Sequence, residues 1–335
     1  NQLVISAEFK PMVRDFVHFE GKILAVTGGV GGAKLCLGLA NILNPEQLAF
    51  VVNIGDDFEH FGLHISPDID TLTYTLSGLS NQAQGWGREG ETWHFIEAMK
   101  ALGGDAWFNL GDADLALHIF RTECLKRGET LSEVTATIAE RLGIKHKMFP
   151  ISNDRVPTVV DTDEGRLPFQ EYFVKRRCEP KVNGFAFENA DAATICPGLR
   201  TWLLDPVLKA IVICPSNPYI SVDPLLAAGG FGNYISNLEI PVVAVSPIVH
   251  GQAIKGPTAK IMTELDIPSD ALAIARHYQD TIDGMVIDQQ DAALAQKIEE
   301  LGLSTIAAQT VMLTLEDKIL LAEVVMDFVR RIGAE

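Results

Sequence analysis

Residues 22–34, "KILAVTGGVGGAK", constrain the fold more than any other stretch: a short apolar run meets four glycines within five residues, and a lysine closes the segment. Helical spacing follows in "AKLCLGLANIL" (33–43), and a second β-branched run, "LAFVVNI", occupies 48–54. This is a βαβ unit whose first turn is glycine-rich, and parallel strands require such a crossover. The spacing matches neither familiar phosphate-binding pattern. Counting from Gly29 and Gly31, the sixth place of a dinucleotide fingerprint holds Lys34. Counting from Gly28, a Walker loop would need Gly-Lys-Ser/Thr where Ala33, Lys34 and Leu35 stand. Consecutive glycines still let backbone N–H groups turn on a phosphate, and the helix start adds partial positive charge. The alternative is a tight strand–helix turn with no ligand.

Three later apolar runs, "AIVICPSNP" (210–218), "PVVAVSP" (241–247) and "GMVIDQQD" (284–291), end in small, polar or acidic residues. Such near-continuous runs suit parallel strands covered on both faces. The expected architecture is a Rossmann-like, doubly wound α/β fold with a mainly parallel sheet that binds ligands at its carboxyl edge. Its core is expected over about 22–84 and 199–335, with a smaller α/β subdomain inserted over about 85–198 around short strands such as "VPTVVDT". Thr314 and Asp317 form a capping pair for a final amphipathic helix carrying Ile319, Ala322, Met326 and Val329 on one face. Residues 1–21 mix charges with apolar side chains, lack the long apolar centre of a signal peptide, and read as an extension preceding the fold.

Composition narrows the chemistry. A net charge of -17 repels nucleic acid and acidic membranes, so an anionic ligand must be held by local amides, a few cations or a metal. The five cysteines form no C-x-x-C pair, which points to reduced thiols in the cytoplasm. No apolar stretch approaches the roughly 20 residues of a membrane helix.

The segment "NIGDDFEHFGLHISPDIDTLTY" (53–74) places Asp56 and Asp57 directly after the second strand, and Asp68 and Asp70 after Pro67. Carboxylates this close repel one another unless a cation sits among them, and oxygen-only ligands suit Mg²⁺ beside phosphate oxygens. A solvated acidic loop is the plainer alternative; beside a phosphate loop, Asp56 and Asp70 are expected to form a metal or hydroxyl site. His60 and His64 have the spacing of a zinc pair, but Gly62 lies between them and no third ligand is evident. "WFNLGDADLALHIFR" (107–121) carries Asp112, Asp114, His118 and Arg121, the last two on one helical face. In "CPSNPYISVDP" (214–224), Ser216 and Asn217 offer donors and acceptors suited to a nucleotide, while capping explains them equally well.

Taken in order, "GGVGGAK", "NIGDD…PDIDT…Y", "GWGREGETW", "WFNLGDAD…H…R", "SNDRVPT", "FQEYFVKR", "CPSNP" and "VAVSPIVHGQAIKGPTAK" resemble one family, the 2-phospho-L-lactate transferases of coenzyme F-420 biosynthesis. The resemblance implies a Mg²⁺-dependent, cytoplasmic, homodimeric transferase. Its donor would be a guanosine diphosphate ester of a small carboxylic acid, and its acceptor the ribityl hydroxyl of the deazaflavin Fo, with GMP released. By this likeness Gly29, Gly31, Gly32, Lys34, Ser216, Asn217 and Pro218 face the nucleotide, Asp56 and Asp70 hold metal and serve catalysis, and Asp70 with Asn109 meets the deazaflavin. Asn109 stands where some relatives have lysine, and Asn153 replaces a carboxylate of the commoner S-D-D-R. The gluconeogenesis-factor-like regulators, which bind nucleotide sugars, share chiefly the glycine loop and acidic turn. An NAD-dependent dehydrogenase is suggested by the βαβ architecture alone.

Overall fold

The computed structural model describes residues 19–81, 87–253 and 256–334. Most of the expected extension, and the Gly85–Trp86 and Ile254–Lys255 portions of two motifs, lie outside those residues. The chain is built on a seven-stranded parallel sheet. Its first two strands are β1 (Lys22–Thr27) and β2 (Leu48–Val52), both almost wholly buried, as apolar runs covered on two faces must be. Between them runs α1 (Gly29–Ile42), which begins four residues earlier than its apolar spacing suggests. Most of the glycine run is therefore the first turn of a helix, with Gly28 as its N-terminal cap residue.

After β2 the chain forms a hairpin, β3 (Phe58–His60) with β4 (Leu63–Ile65), and then the helices α2 (Pro67–Leu76), α3 (His94–Ala101), α4 (Asp112–Lys126) and α5 (Leu131–Arg141). It returns to the sheet as β5 (Lys147–Pro150), which pairs in parallel with β2. A separate antiparallel sheet follows, in which β6 (Thr158–Thr162) lies between β7 (Gly165–Pro168) and β8 (Val182–Phe187). The middle of the chain is thus not wholly an insert, because β5 is an edge strand of the core. Its run "KMFP" is too short and too polar at one end to stand out from a loop.

Strand β9 (Leu208–Ile213) pairs with β1 on the side opposite β2. Beyond it lie β10 (Val242–Val245), a small hairpin of β11 (Ile248–Val249) with β12 (Gln252–Ala253), then β13 (Gly284–Asp288) and β14 (Ser304–Ala308). The sheet order β14-β13-β10-β9-β1-β2-β5 makes β1 and β9 the place where winding reverses. In open sheets of this kind the crevice outside the carboxyl ends of such strands receives ligands. The C-terminal helix, Leu315–Ile332, starts with the expected Thr314–Asp317 capping box and buries Ile319, Ala322, Met326 and Val329. It lies along α1, so closely that a Cβ on Gly38 would strike the Lys318 carbonyl.

Candidate active site

The glycine turn and the "CPSNP" segment, almost two hundred residues apart in sequence, meet at the reversal of winding. The Gly28 N–H donates to Ser216 Oγ at 3.1 Å. A Cβ on Gly31 would collide with the Pro215 carbonyl, and one on Gly32 would lie 2.5 Å from Ser216 Oγ and against Thr27 Oγ1. These two glycines are required by backbone approach between the segments. Gly29 differs: its φ of +64° lies in the left-handed region and its Cβ direction is nearly open. Asn217 accepts from the N–H groups of Tyr219 and Ile220, capping the turn that opens at Pro218.

The acidic turn closes over the same place. Asp68, in the first turn of α2, accepts the Gly29 N–H at 2.7 Å. Asn53, at the end of β2, donates to Asp56 at 2.6 Å and to Asp68 at 3.0 Å, clasping two buried carboxylates together. Burial, and then the charges of Asp68 and Asp57, push the Asp56 carboxyl well above the usual carboxylate range. Burial likewise lifts Asp68 to about 6, against the hydrogen bonds from Asn53 and Gly29. Two carboxylates raised in this way are arranged for a cation or a shared proton. Their hard oxygen donors, beside helix amides that can take phosphate, fit Mg²⁺.

Asp70 is not the partner of Asp56. Its carboxylate is gripped by the guanidinium of Arg121, which also donates to the His64 carbonyl at 3.4 Å. His118 lies 3.6 Å from Asp70 and 3.1 Å from Asp114, and Tyr74 donates to Asp114. The expected Asp56–Asp70 pair is therefore split between two clusters, because successive acidic residues of α2 point to different sides: Asp68 to the glycine turn, Asp70 to α4. The ligand atoms of Asp70, Asp114 and His118 are close enough for a metal, but Arg121 already supplies the cation there.

Asp57 belongs to a third set. Its Oδ2 accepts from Ser66 Oγ at 2.7 Å and lies 3.1 Å from His64 Nε2, while Oδ1 is buried without a donor among the described residues. Burial raises the Asp57 carboxyl, against the opposing pull of His64 and Ser66. His60 instead packs on Phe61 and Trp107, so the two histidines do not converge.

Lys34 lies in the second turn of α1, and its ammonium donates to the Met312 carbonyl at 2.9 Å. Asn109 is exposed, directly after Trp107 and Phe108 in the chain. Among the described residues, further buried polar atoms lack partners around the strand ends: Thr27 Oγ1, Thr158 Oγ1 and Asn217 Nδ2. Sequence reasoning passed over Asn53 and Thr27, whose only signal was their place at the ends of apolar runs.

An open parallel α/β sheet, with a glycine turn and a clasped carboxylate pair at its reversal of winding, defines an α/β protein whose candidate site lies at that point. Comparison with known proteins narrows this. Residues 23–319 match the family described as 2-phospho-L-lactate transferase CofD. A phosphoenolpyruvate transferase of Streptomyces griseus is 35% identical over 321 residues, covering 93% of this chain and 100% of the relative. A 2-phospho-L-lactate transferase of Methanosarcina mazei is 35% identical over 306 residues, covering 91% and 99%. The chain belongs to the 2-phospho-L-lactate transferase family and is a transferase. A solved UPF0052 family structure from Bacillus halodurans shares the fold, with a TM-score of 0.60 at 15% identity over 92% of this chain and 99% of that one. No helix among the described residues is long and apolar enough to cross a membrane.

Proposed function

We propose that this protein makes a coenzyme F-420 precursor, moving a phospho-carboxylic acid, 2-phospholactyl or phosphoenolpyruvyl, from its guanosine diphosphate ester to Fo. The ribityl oxygen forms a bond to the phosphorus that carries the acid. The bond from that phosphorus to the bridging oxygen breaks, and the bridging oxygen leaves on GMP. The hydroxyl proton passes to a carboxylate of the acidic turn, Asp56 being the candidate. Cytoplasmic residence and a homodimer form part of this reading.

The observation that carries it is the Asp56–Asp68 pair, clasped by Asn53 against the Gly29 amide. Phosphoryl transfer needs positioning and charge neutralisation above all. The first-turn amides of α1 and the Ser216–Pro218 turn would hold the nucleotide. Asp56 and Asp68 would hold Mg²⁺, which when bound offsets the charge of the diphosphate. Asp70, fixed by Arg121, sets the first turn of α2 from which Asp68 reaches the site. Lys34 would act on the phosphates only after leaving Met312.

The test is an assay with Fo, Mg²⁺ and each guanylylated acid, following GMP and the product mass. Turnover with one donor, lost in Asp68→Ala and on chelation of Mg²⁺, is the expected result. Binding of a UDP-sugar with no turnover from any donor would favour a regulatory role instead.

A further inference from the structure

The segment that follows Ser216 and Asn217 has an uncommon backbone. Residues Pro218–Val222 form a single π-helical turn, closed by bonds five residues apart: the Val222 N–H donates to the Asn217 carbonyl at 3.1 Å, and the Asp223 N–H to the Pro218 carbonyl. Such turns are rare and appear frequently at functional sites. All five residues of this one are buried. It meets the candidate site at two points. The Ile220 carbonyl accepts from Asn53 Nδ2 at 3.4 Å, the same amide that clasps Asp56 and Asp68. Ser221 stands so close to Gly28 that a Cβ on the glycine would come within 2.7 Å of the serine Cβ. Where this turn sits therefore sets where the glycine turn and the carboxylate pair stand against the Ser216–Pro218 segment.

One residue grips the turn at both ends. His277, near the end of the helix Ala271–Tyr278, lies with Nε2 at 2.7 Å from Oδ1 of Asp223, the residue directly after the turn. An ionised carboxylate only accepts, so Nε2 carries the hydrogen of this bond. The same imidazole meets Tyr219, the second residue of the turn, edge-on, with ring centroids 5.0 Å apart. Tyr219 is buried and its hydroxyl has no hydrogen-bond partner among the described residues, so contacts with the His277 ring and the stacked Phe185 ring orient it. His277 and Asp223 keep 27% and 25% of their side-chain surface exposed, and pairs near the surface add little to overall stability. Loss of the contact is therefore expected to shift the turn and not to unfold the chain.

We infer that His277 is a positioning residue of the nucleotide site. Through Asp223 and Tyr219 it holds the π-turn, and through the turn it keeps Asn53 and Gly28 in place against the Ser216–Pro218 segment. Its role is indirect, and it takes no part in the bond changes of transfer. The inference rests on the reading of this edge as the site of the guanosine nucleotide and deepens that reading.

Calorimetric titration of the full chain with GDP and Mg²⁺, beside thermal melting without ligand, tests it. His277→Ala is expected to weaken GDP binding by about tenfold while the melting temperature stays close to that of the wild type. His277→Gln, whose amide N–H can replace Nε2 at Asp223, is expected to recover most of the lost affinity. Combining His277→Ala with Asp223→Ala should weaken binding by far less than the product of the two single effects, because both changes remove one shared contact. Wild-type GDP affinity in His277→Ala would overturn the inference. So would a double variant that loses the full product, or a loss of affinity that follows a fall in melting temperature and is not recovered by His277→Gln. If His277→Ala fails to fold, Asp223→Ala decides by the same two measurements. A wild type that binds no GDP would sink the nucleotide-site reading and the inference with it, a result distinct from any variant's failure.

Discussion

Arg121 illustrates how little one residue's sequence context says about its task. Its helical spacing with Asp114 and His118 is plain in the chain, but its partner Asp70 lies 51 residues away. Only 1% of Arg121 is exposed, so its charge must be met locally. Removing one partner of a buried ion pair costs about 3–5 kcal/mol, whereas replacing both by apolar groups is often neutral. Arg121→Met is therefore expected to lose about that much in urea unfolding, and Arg121→Met with Asp70→Leu to recover most of it. Equal losses in both proteins would show that the ion pair is not the source. At Gly32, by contrast, the glycine that the sequence singles out has a packing reason of its own. Its missing Cβ is required by Thr27 and Ser216 whether or not a phosphate binds. Gly32→Ala should cost about 1–3 kcal/mol through overpacking and abolish the thermal shift with GDP; a normal shift would separate this turn from the nucleotide.

At the scale of elements, strong local patterns were legible and edges were not. The buried strands β1, β2, β9, β10 and β13 announce themselves as β-branched runs, and the C-terminal helix by its cap and apolar stripe. Thr314→Ala should cost about 1 kcal/mol, as caps do, read as a lower melting temperature. The edge strands β5 and β14 carry weaker patterns, because an edge needs less apolar cover. What secures β14 is tertiary. Asp288, at the end of β13, accepts the N–H and Oγ of Thr310 at 3.0 and 2.9 Å, just beyond β14. Burial alone would raise the Asp288 carboxyl, but the hydrogen bonds from Gln290 and Thr310 hold it below the usual range. Its folded pKa is thus depressed below its unfolded value of about 3.9. The stability it contributes is present above that value and is lost as pH falls through the folded pKa. Melting of the wild type should drop more steeply than that of Asp288→Asn below about pH 4; parallel curves would remove Asp288 from the account.

For the whole molecule, the winding of the sheet does what no motif could. It brings residues 28–32, 53–57, 66–70 and 214–218 to one edge. If that edge is the nucleotide site, GDP with Mg²⁺ at about 100 times its Kd should stabilise the fold by about 2.7 kcal/mol, and Asp68→Ala should remove most of that gain. An unchanged gain in the variant would detach the carboxylate pair from ligand binding. The chain by itself determined the fold class, the glycine turn and the family, because apolar periodicity and ordered motifs are local and survive without coordinates. Only the tertiary structure decided which carboxylates stand together. Asp68 and Asp70 are two residues apart on one helical turn, so their side chains diverge by more than a quarter turn. Which one meets Asp56 and which meets Arg121 depends on how α2 sits between α1 and α4, a matter of packing that no spacing in the sequence records.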